Sequence, residues 1–381
     1  MTRRSLEIES LTAFDRHVAS ARTLNGWFVS SLDLSGRSAE LRQADPRGAV
    51  FLGCEFQPGV EHDLRDAGAL IFPRLPDLPF DPYRSSLYDA VELYGAVELH
   101  GAVEYGAVEY GADDYASSLD ARIYAWSRSP GASRSVPDTL AAALHDHAIS
   151  DALDDTLVTL DSRAVVGVMG GHALLRGEDG YRAAASLGLQ LGLGGKVVVT
   201  GGGPGAMEAA NLGAYLSSWP DRLDQVGVNL AAVPSFRPSI DAWAQAAFAV
   251  RQRCPADQAG TSLSIPTWFY GHEPSNVFAT QIAKYFTNAL REDTLLHRCR
   301  GGIVYLPGQA GTVQEIFQAV TENFYAADTS QLAPMILVGV DYWTHVLPAW
   351  PLLQRMASDR PMGAALSCVD TVDAAVGLLL V

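Results

Sequence analysis

The sequence predicts an α/β fold built on a doubly wound parallel sheet, and three observations carry that prediction. From Ala164 onward, short runs of β-branched and apolar residues alternate with segments of helical periodicity, the pattern of a parallel sheet covered by helices on both faces. Two of these runs, Val197-Val198-Val199-Thr200 and Gly302-Ile303-Val304-Tyr305-Leu306, pass directly into glycine-rich turns. Both turns open into residues of good helix propensity, so each reads as strand, tight loop and helix N-terminus. Hydrophobic residues make up 48% of the 381-residue chain and charged residues 18%, an ordinary balance for this class in a chain long enough for two domains.

The chain begins with Leu6, Ile8, Leu11, Phe14 and Val18 at amphipathic helical spacing, followed by β-like runs at 27–32, 49–52 and 69–72 between Gly, Pro and Asp turns. This predicts a small α+β domain over residues 1–80, in which nothing has catalytic spacing. Pro73, Pro76, Pro79 and Pro82 mark an extended connector into a linker over 81–135. The linker holds an internal repeat, Gly95-Ala96-Val97-Glu98 and its copies from Gly101, Gly106 and Gly111. Four copies of so short a unit cannot stack into a solenoid, and the segment reads as an expanded surface loop.

Residues 136–381 form the expected main domain. Its first helix, around 136–153, carries His145-Asp146-His147. Histidines at i and i+2 do not share a helix face, so this reads as a solvated helix and not a metal site. Strands are expected at 164–169, 196–200, 226–230, 264–266, 302–306 and 335–340. Helices are expected at 181–193, 206–217, 276–290, 312–325, 343–356 and 371–380. Doubly wound sheets bind ligands at the carboxyl ends of their strands, which is where every glycine turn falls.

The first turn, Gly201-Gly202-Gly203-Pro204-Gly205, leads into Ala206-Met207-Glu208. Glycines let the backbone approach an oxyanion closely, while the first-turn N–H groups and the helix dipole point at it. A phosphate is the expected ligand, with Gly201, Gly202, Gly203, Gly205, Met207 and Glu208 as candidate contacts. An acid in a first helical turn is also favourable through the dipole alone, which is the plain structural reading of Glu208. Gly201, Gly203 and Ala206 fit the G-x-G-x-x-G/A pattern of dinucleotide binding. That pattern expects an acidic residue at the end of the next strand, and the run over 226–230 ends without one, which argues against NAD. Gly170 and Gly171 end the first strand at the same edge and join the candidate set; His172 reads as a loop residue.

The second turn, Pro307-Gly308-Gln309-Ala310-Gly311-Thr312, precedes Val313-Gln314-Glu315. Two such loops in one sheet would grip a mononucleotide from two sides. Taken together, Gly201-Gly202-Gly203-Pro204-Gly205-Ala206-Met207-Glu208-Ala209-Ala210-Asn211 and Pro307-Gly308-x-x-Gly311-Thr312-x-x-Glu315 resemble the two signatures of the LOG family, Rossmann-like nucleoside 5′-monophosphate phosphoribohydrolases. The resemblance covers roughly residues 160–350. It implies hydrolysis of the N-glycosidic bond to free base and ribose 5-phosphate, with no metal, no redox cofactor and a homodimer or larger assembly. It maps catalytic roles onto Glu315 and Arg291, and binding roles onto Pro307, Gly308, Gly311 and Thr312. The chain departs from the family pattern at Gln309, where a third loop glycine is usual. Thr312-Val313-Gln314-Glu315 also fits a capping box, the structural alternative for both residues. Nucleotide binding without turnover, as a sensor or carrier, is the other functional reading.

Composition bounds the rest. The net charge of −16 disfavours binding of nucleic-acid polymers, which depends on neutralising phosphates with Lys and Arg. Of 27 basic residues only Lys196 and Lys284 are lysines, which argues against the Schiff-base chemistry implied by the label "lysine decarboxylase" once given to LOG members. Cys54, Cys254, Cys299 and Cys368 are dispersed and form no C-x-x-C pair, as expected of reduced thiols in the cytoplasm. No apolar run reaches the ~20 residues of a membrane span, so no membrane partner is expected.

Overall fold

A computed structural model describes residues 6–97, 109–110, 114–129, 135–270 and 273–380. Most of the Gly-Ala-Val-Glu repeat lies outside these residues. The chain divides into two compact units, Met1–Ser86 with Arg128–Ala152, and Leu87–Ser127 with Leu153–Val381.

The first unit is a run of short strand–helix steps. Strands β1 (Leu6–Ile8), β2 (Trp27–Ser30), β3 (Val50–Leu52) and β4 (Leu70–Phe72) alternate with helices α1 (Leu11–Val18), α2 (Ser38–Gln43) and α3 (Val60–Asp66). All strand pairs are parallel, in sequential order β1-β2-β3-β4. Leu6 pairs with Trp27, Phe28 with Val50 and Val50 with Leu70, so the step recurs about every 20–22 residues. The unit is therefore a parallel β/α array, not the α+β domain that the sequence pattern predicts. The expected single helix over Leu6–Val18 breaks at Ser10, whose side chain accepts a hydrogen bond from Ala13 N–H and starts α1. One face of the sheet supplies the core through Ile8, Val29 and Phe51, packed with Phe14, Leu41 and Leu64.

Helix α6 (Val136–Leu157) follows α4 (Ala90–Tyr94), the short strands β5 (Ala96–Val97) and β6 (Glu109–Tyr110), and α5 (Leu119–Arg128). His145 is buried on α6 rather than solvated, edge-on to Phe80 with ring centroids 5.2 Å apart, while His147 is exposed. Burial pushes the His145 pKa down.

The second unit carries a seven-stranded, wholly parallel sheet in the order β10-β9-β8-β7-β11-β12-β13. Its strands are β7 (Val165–Met169), β8 (Val197–Thr200), β9 (Ser262–Ser264), β10 (Gln281–Ile282), β11 (Gly302–Tyr305), β12 (Met335–Val338) and β13 (Leu366–Val369). The helices are α7 (Asp179–Leu193), α8 (Ala206–Tyr215), α9 (Leu223–Ala231), α10 (Ile240–Arg253), α11 (Asn288–Arg298), α12 (Ala310–Tyr325), α13 (Ala349–Ala357) and α14 (Val372–Leu379). The α/β doubly wound class is as the sequence predicts. Strand order reverses at β7, whose neighbours are β8 and β11, so the ligand crevice of such a sheet opens there.

Several elements differ from expectation. The predicted strand over 226–230 is helix α9: Val226 and Leu230, four residues apart, are buried while Val228 is 69% exposed, a helical period and not an alternating one. The strand after β8 is β9, and Ser264-Ile265-Pro266 carries no acid either. The predicted helix over 276–290 is a loop, edge strand β10 and only the start of α11. Its backbone donors are spent elsewhere, Asn276 N–H on Gly202 O and Ala283 N–H on Ser264 O. Pro348 divides the last long helix into a five-residue π-turn (Tyr342–Val346) and α13. Edge strand β13 escapes the sequence pattern because all four of its residues are only half-buried.

Residues 87–127, expected within a linker, belong to the second unit. Tyr88 and Ile282 exchange backbone hydrogen bonds of 3.0 and 2.7 Å, and Asp120 pairs with Lys284 at 2.6 Å, both buried. Among the described residues, no helix is long and apolar enough to cross a membrane.

Candidate functional site

The turn after β8 is a braced loop. Gly202 N–H donates to Thr200 Oγ1 (3.0 Å), and that hydroxyl donates to Asn211 Oδ1 (2.6 Å). Asn211, fully buried on α8, in turn donates to Ser262 Oγ and Leu263 O. Asn276 closes the ring from β9's far side, its N–H on Gly202 O (2.8 Å) and its Nδ2 on Gly203 O (3.3 Å) and Asn211 Oδ1 (3.0 Å). Gly202 and Gly205 have φ of +77° and +73°, values that favour glycine. A Cβ on Gly205 would stand 2.5 Å from Gly171 O. The Gly202 amide thus serves the loop itself.

Three strand ends are tied together here. Ala206 N–H donates to Gly171 O (3.1 Å), Gly171 N–H to Pro307 O (3.2 Å) and Leu306 N–H to Met169 O (2.8 Å). Tyr342 OH donates to Gly308 O (2.6 Å). Helix α12 begins at Ala310 with Gln309 at its N-cap, making no side-chain cap bond. Thr312 therefore lies inside the first turn, so the capping-box alternative does not describe it.

Above these ends lies a cleft of about 440 Å³. Of the sequence-predicted residues, Gly170, Gly171, Gly201, Gly202, Gly203, Met207, Arg291, Gly311, Thr312 and Glu315 line it. Gly205 and Glu208 line a separate cavity of about 190 Å³ on the other side of the loop. The Glu208 carboxylate is buried and held by Arg176 Nε (3.1 and 3.2 Å), while Arg176 also donates to Trp243 O and lies over the Trp243 ring. Pro307 and Gly308 make the backbone contacts just described and are not among the lining residues.

Arg291 and Glu315 converge from neighbouring helices. Arg291 Nη1 lies 3.6 Å from Glu315 Oε1, and the two side chains are 8% and 13% exposed. Arg291 is oriented by Asn288 Oδ1, which accepts from its Nε (3.2 Å) and Nη2 (2.8 Å). Asn288 Nδ2 and Gln314 Nε2 both donate to Glu292, whose carboxylate stands 3.5 Å from Arg291 Nη2. Burial raises the Glu315 pKa from 4.5 to about 7; Arg291 opposes the shift and the nearby Glu292 charge adds to it. A carboxyl group whose charge is balanced near neutrality is suited to acid–base work.

The sequence reading misses the wall after β9, which includes Pro266, Tyr270, Glu273 and Ser275, and also Glu292 and Gln314 beside Arg291; Gln309, singled out in the sequence as a departure, lines the cleft as well. His172, read as a loop residue, lines both cavities. Only the position of 266–270 and 273–275 beyond the carboxyl end of β9 signals its role. Neither lysine lines the cleft: Lys284 is buried against Asp120, and Lys196 Nζ donates to Arg163 O (3.2 Å). Among the described residues, no three-ligand His, Cys, Asp or Glu group lies in the cleft.

No family model matches the sequence, and no curated protein matches it. Among solved structures, a molybdenum cofactor binding protein from Rippkaea orientalis is similar, at 17% identity and a TM-score of 0.34, over 56% of this chain and 93% of that one. The molybdenum cofactor carrier protein of Chlamydomonas reinhardtii is similar at 15% identity and a TM-score of 0.33, over 56% and 94%. Likeness at this level carries no chemistry, and the ligand is read from the cleft itself.

Proposed function

We propose that the cleft hydrolyses the N-glycosidic bond of a nucleoside 5′-monophosphate to a free base and ribose 5-phosphate, as the LOG-like motifs imply. The convergence of Arg291 and Glu315 in a cleft floored by two glycine loops is the observation that carries this reading. As the C1′–N bond breaks, its electron pair leaves with the base, which takes up a proton, and positive charge builds on the ribose. The Glu315 carboxylate stabilises that charge, accepts a proton from the water whose oxygen attacks C1′, and releases it to make up the one the departing base takes, so that it ends ionised again. Arg291, fixed by Asn288, favours the ionised form of Glu315 against its burial and keeps it in register. The phosphate is met by the unpaired first-turn amides of α12, where Ala310, Gly311 and Thr312 line the cleft. This chemistry draws on no metal or redox cofactor, and the same reading implies a cytoplasmic homo-oligomer.

Gln309 favours a second reading, a nucleotide sensor or carrier without turnover, because a side chain stands at the loop position where a third glycine is usual. The two are separated by incubating AMP, GMP, CMP, UMP and IMP with the protein and measuring both bound nucleotide and released base. Release supports the hydrolase; saturable binding with no release supports the carrier.

A further inference from the structure

Arg291 and Glu273 stand beside different glycines of the first loop. A Cβ on Gly201 would stand 3.6 Å from Arg291 Nη1, whereas one on Gly203 would stand 3.6 Å from Glu273 Oε2. Met207 lies over the strip between them, its Sδ and Cε each 2.9 Å from those same positions. The charge of Arg291 is shared with Glu292 and Glu315 at 3.5 and 3.6 Å, so the phosphate end is set by the first-turn amides of α12, where Ala310, Gly311 and Thr312 line the cleft, while Glu273 repels a dianion. A nucleotide with its phosphate on those amides therefore carries its base toward Glu273, with His172 beside it.

The Glu273 wall is built rather than loose. Ser275, two residues on, is fixed by Tyr94 OH donating to its carbonyl (2.5 Å) and by buried Lys284 Nζ donating to its hydroxyl (3.0 Å). Lys284 is held in turn by Asp120, which also accepts from Trp268 Nε1 (2.8 Å) and Tyr115 OH (2.8 Å). Asn276 ties the wall's next residue to Gly202 and Gly203. Among the described residues, the ion-pair partner of the carboxylate is His172 Nε2 at 3.8 Å.

We infer that Glu273 reads the base and selects guanine, through two parallel hydrogen bonds from a ring N–H and the adjacent exocyclic amine to its two carboxylate oxygens. An ionised carboxylate only accepts hydrogen bonds. Among the common bases, guanine alone offers two adjacent donors on its pairing edge, N1–H and the 2-amino group. Hypoxanthine offers one donor there, while adenine and cytosine set a ring-nitrogen lone pair against the carboxylate. Fork-like recognition by a charged acceptor is the strong form of such a contact.

This rests on the nucleotide reading of the cleft, and an equilibrium binding measurement separates its failure from that of the hydrolase. Kd values for GMP, IMP, AMP and ribose 5-phosphate would be measured in the full chain carrying Glu315→Gln, so that turnover does not consume the ligand, with and without Glu273→Gln, and base release would be followed with the unaltered chain. The expected result is GMP tighter than IMP and AMP by about tenfold or more, a loss of that margin in Glu273→Gln, and an unchanged Kd for ribose 5-phosphate. AMP binding as tightly as GMP, or a GMP:IMP ratio untouched by the substitution, overturns the inference. Binding of no nucleotide overturns it together with the proposed function, whereas GMP selectivity without base release leaves Glu273 in place and removes only the hydrolase.

Discussion

Glu315 and Arg291 are an ion pair that does not fully close. Burial leaves Glu315 with a pKa near 7 instead of 4.5; Arg291 at 3.6 Å only partly opposes that rise, and the second carboxylate, Glu292, adds to it. Burial is the first cause of that rise, since a low-polarity site disfavours the charged form. The sign of the pH dependence follows. The proposed chemistry needs the carboxylate, so kcat/KM rises with pH through about 7 and is lost on the acid side as Glu315 takes up its proton. Base-release rates from pH 5 to 9 should show this limb. A flat profile across 6–8, or a rate that falls as pH rises through 7, would contradict the role given to Glu315.

At the scale of elements, the site is a property of three strand ends held by backbone hydrogen bonds, and Gly205 is where they meet. Its φ of +73° and the 2.5 Å approach of a Cβ to Gly171 O predict that Gly205→Ala costs about 1–3 kcal/mol through strain and weakens nucleotide binding. Gly195→Ala, with a similar φ of +74° but nothing within 4 Å, isolates the conformational term alone. Equal losses in denaturant unfolding of the two variants would remove the close-approach argument. This junction also marks how far the sequence can be read. Both strand–glycine–helix units were legible because β-branched runs, glycines and helix formers follow in a fixed order within about fifteen residues. Arg291 and Glu315 were legible only through the motif resemblance. The Glu273 wall was not, because it is an irregular segment whose position is set by Tyr94, Asp120 and Asn276, contacts that no local period encodes. The same limit explains α9, where five apolar-rich residues fit a strand by composition and a helix by burial. In the first unit, strands of three or four residues gave too few alternations to reveal a recurring step.

For the whole molecule, two compact units imply two stabilities, since each has its own core. Only the second contains the cleft, so a nucleotide at about 100 times its Kd should stabilise that unit by about 2.7 kcal/mol and leave the other's transition in place. Calorimetry with and without GMP reads this directly; a single transition that shifts as a whole would mean that the units unfold together. The net charge of −16 sets the conditions in which the site works, because a strongly acidic protein must hold an anion by local amides against its overall field. The most direct test of the account is chromatographic measurement of free base and ribose 5-phosphate formed from GMP, by the unaltered protein and by Glu315→Gln in parallel. The account predicts equimolar release of both products by the unaltered protein and a loss of about 100-fold or more in the variant. Release that persists undiminished in Glu315→Gln would contradict it.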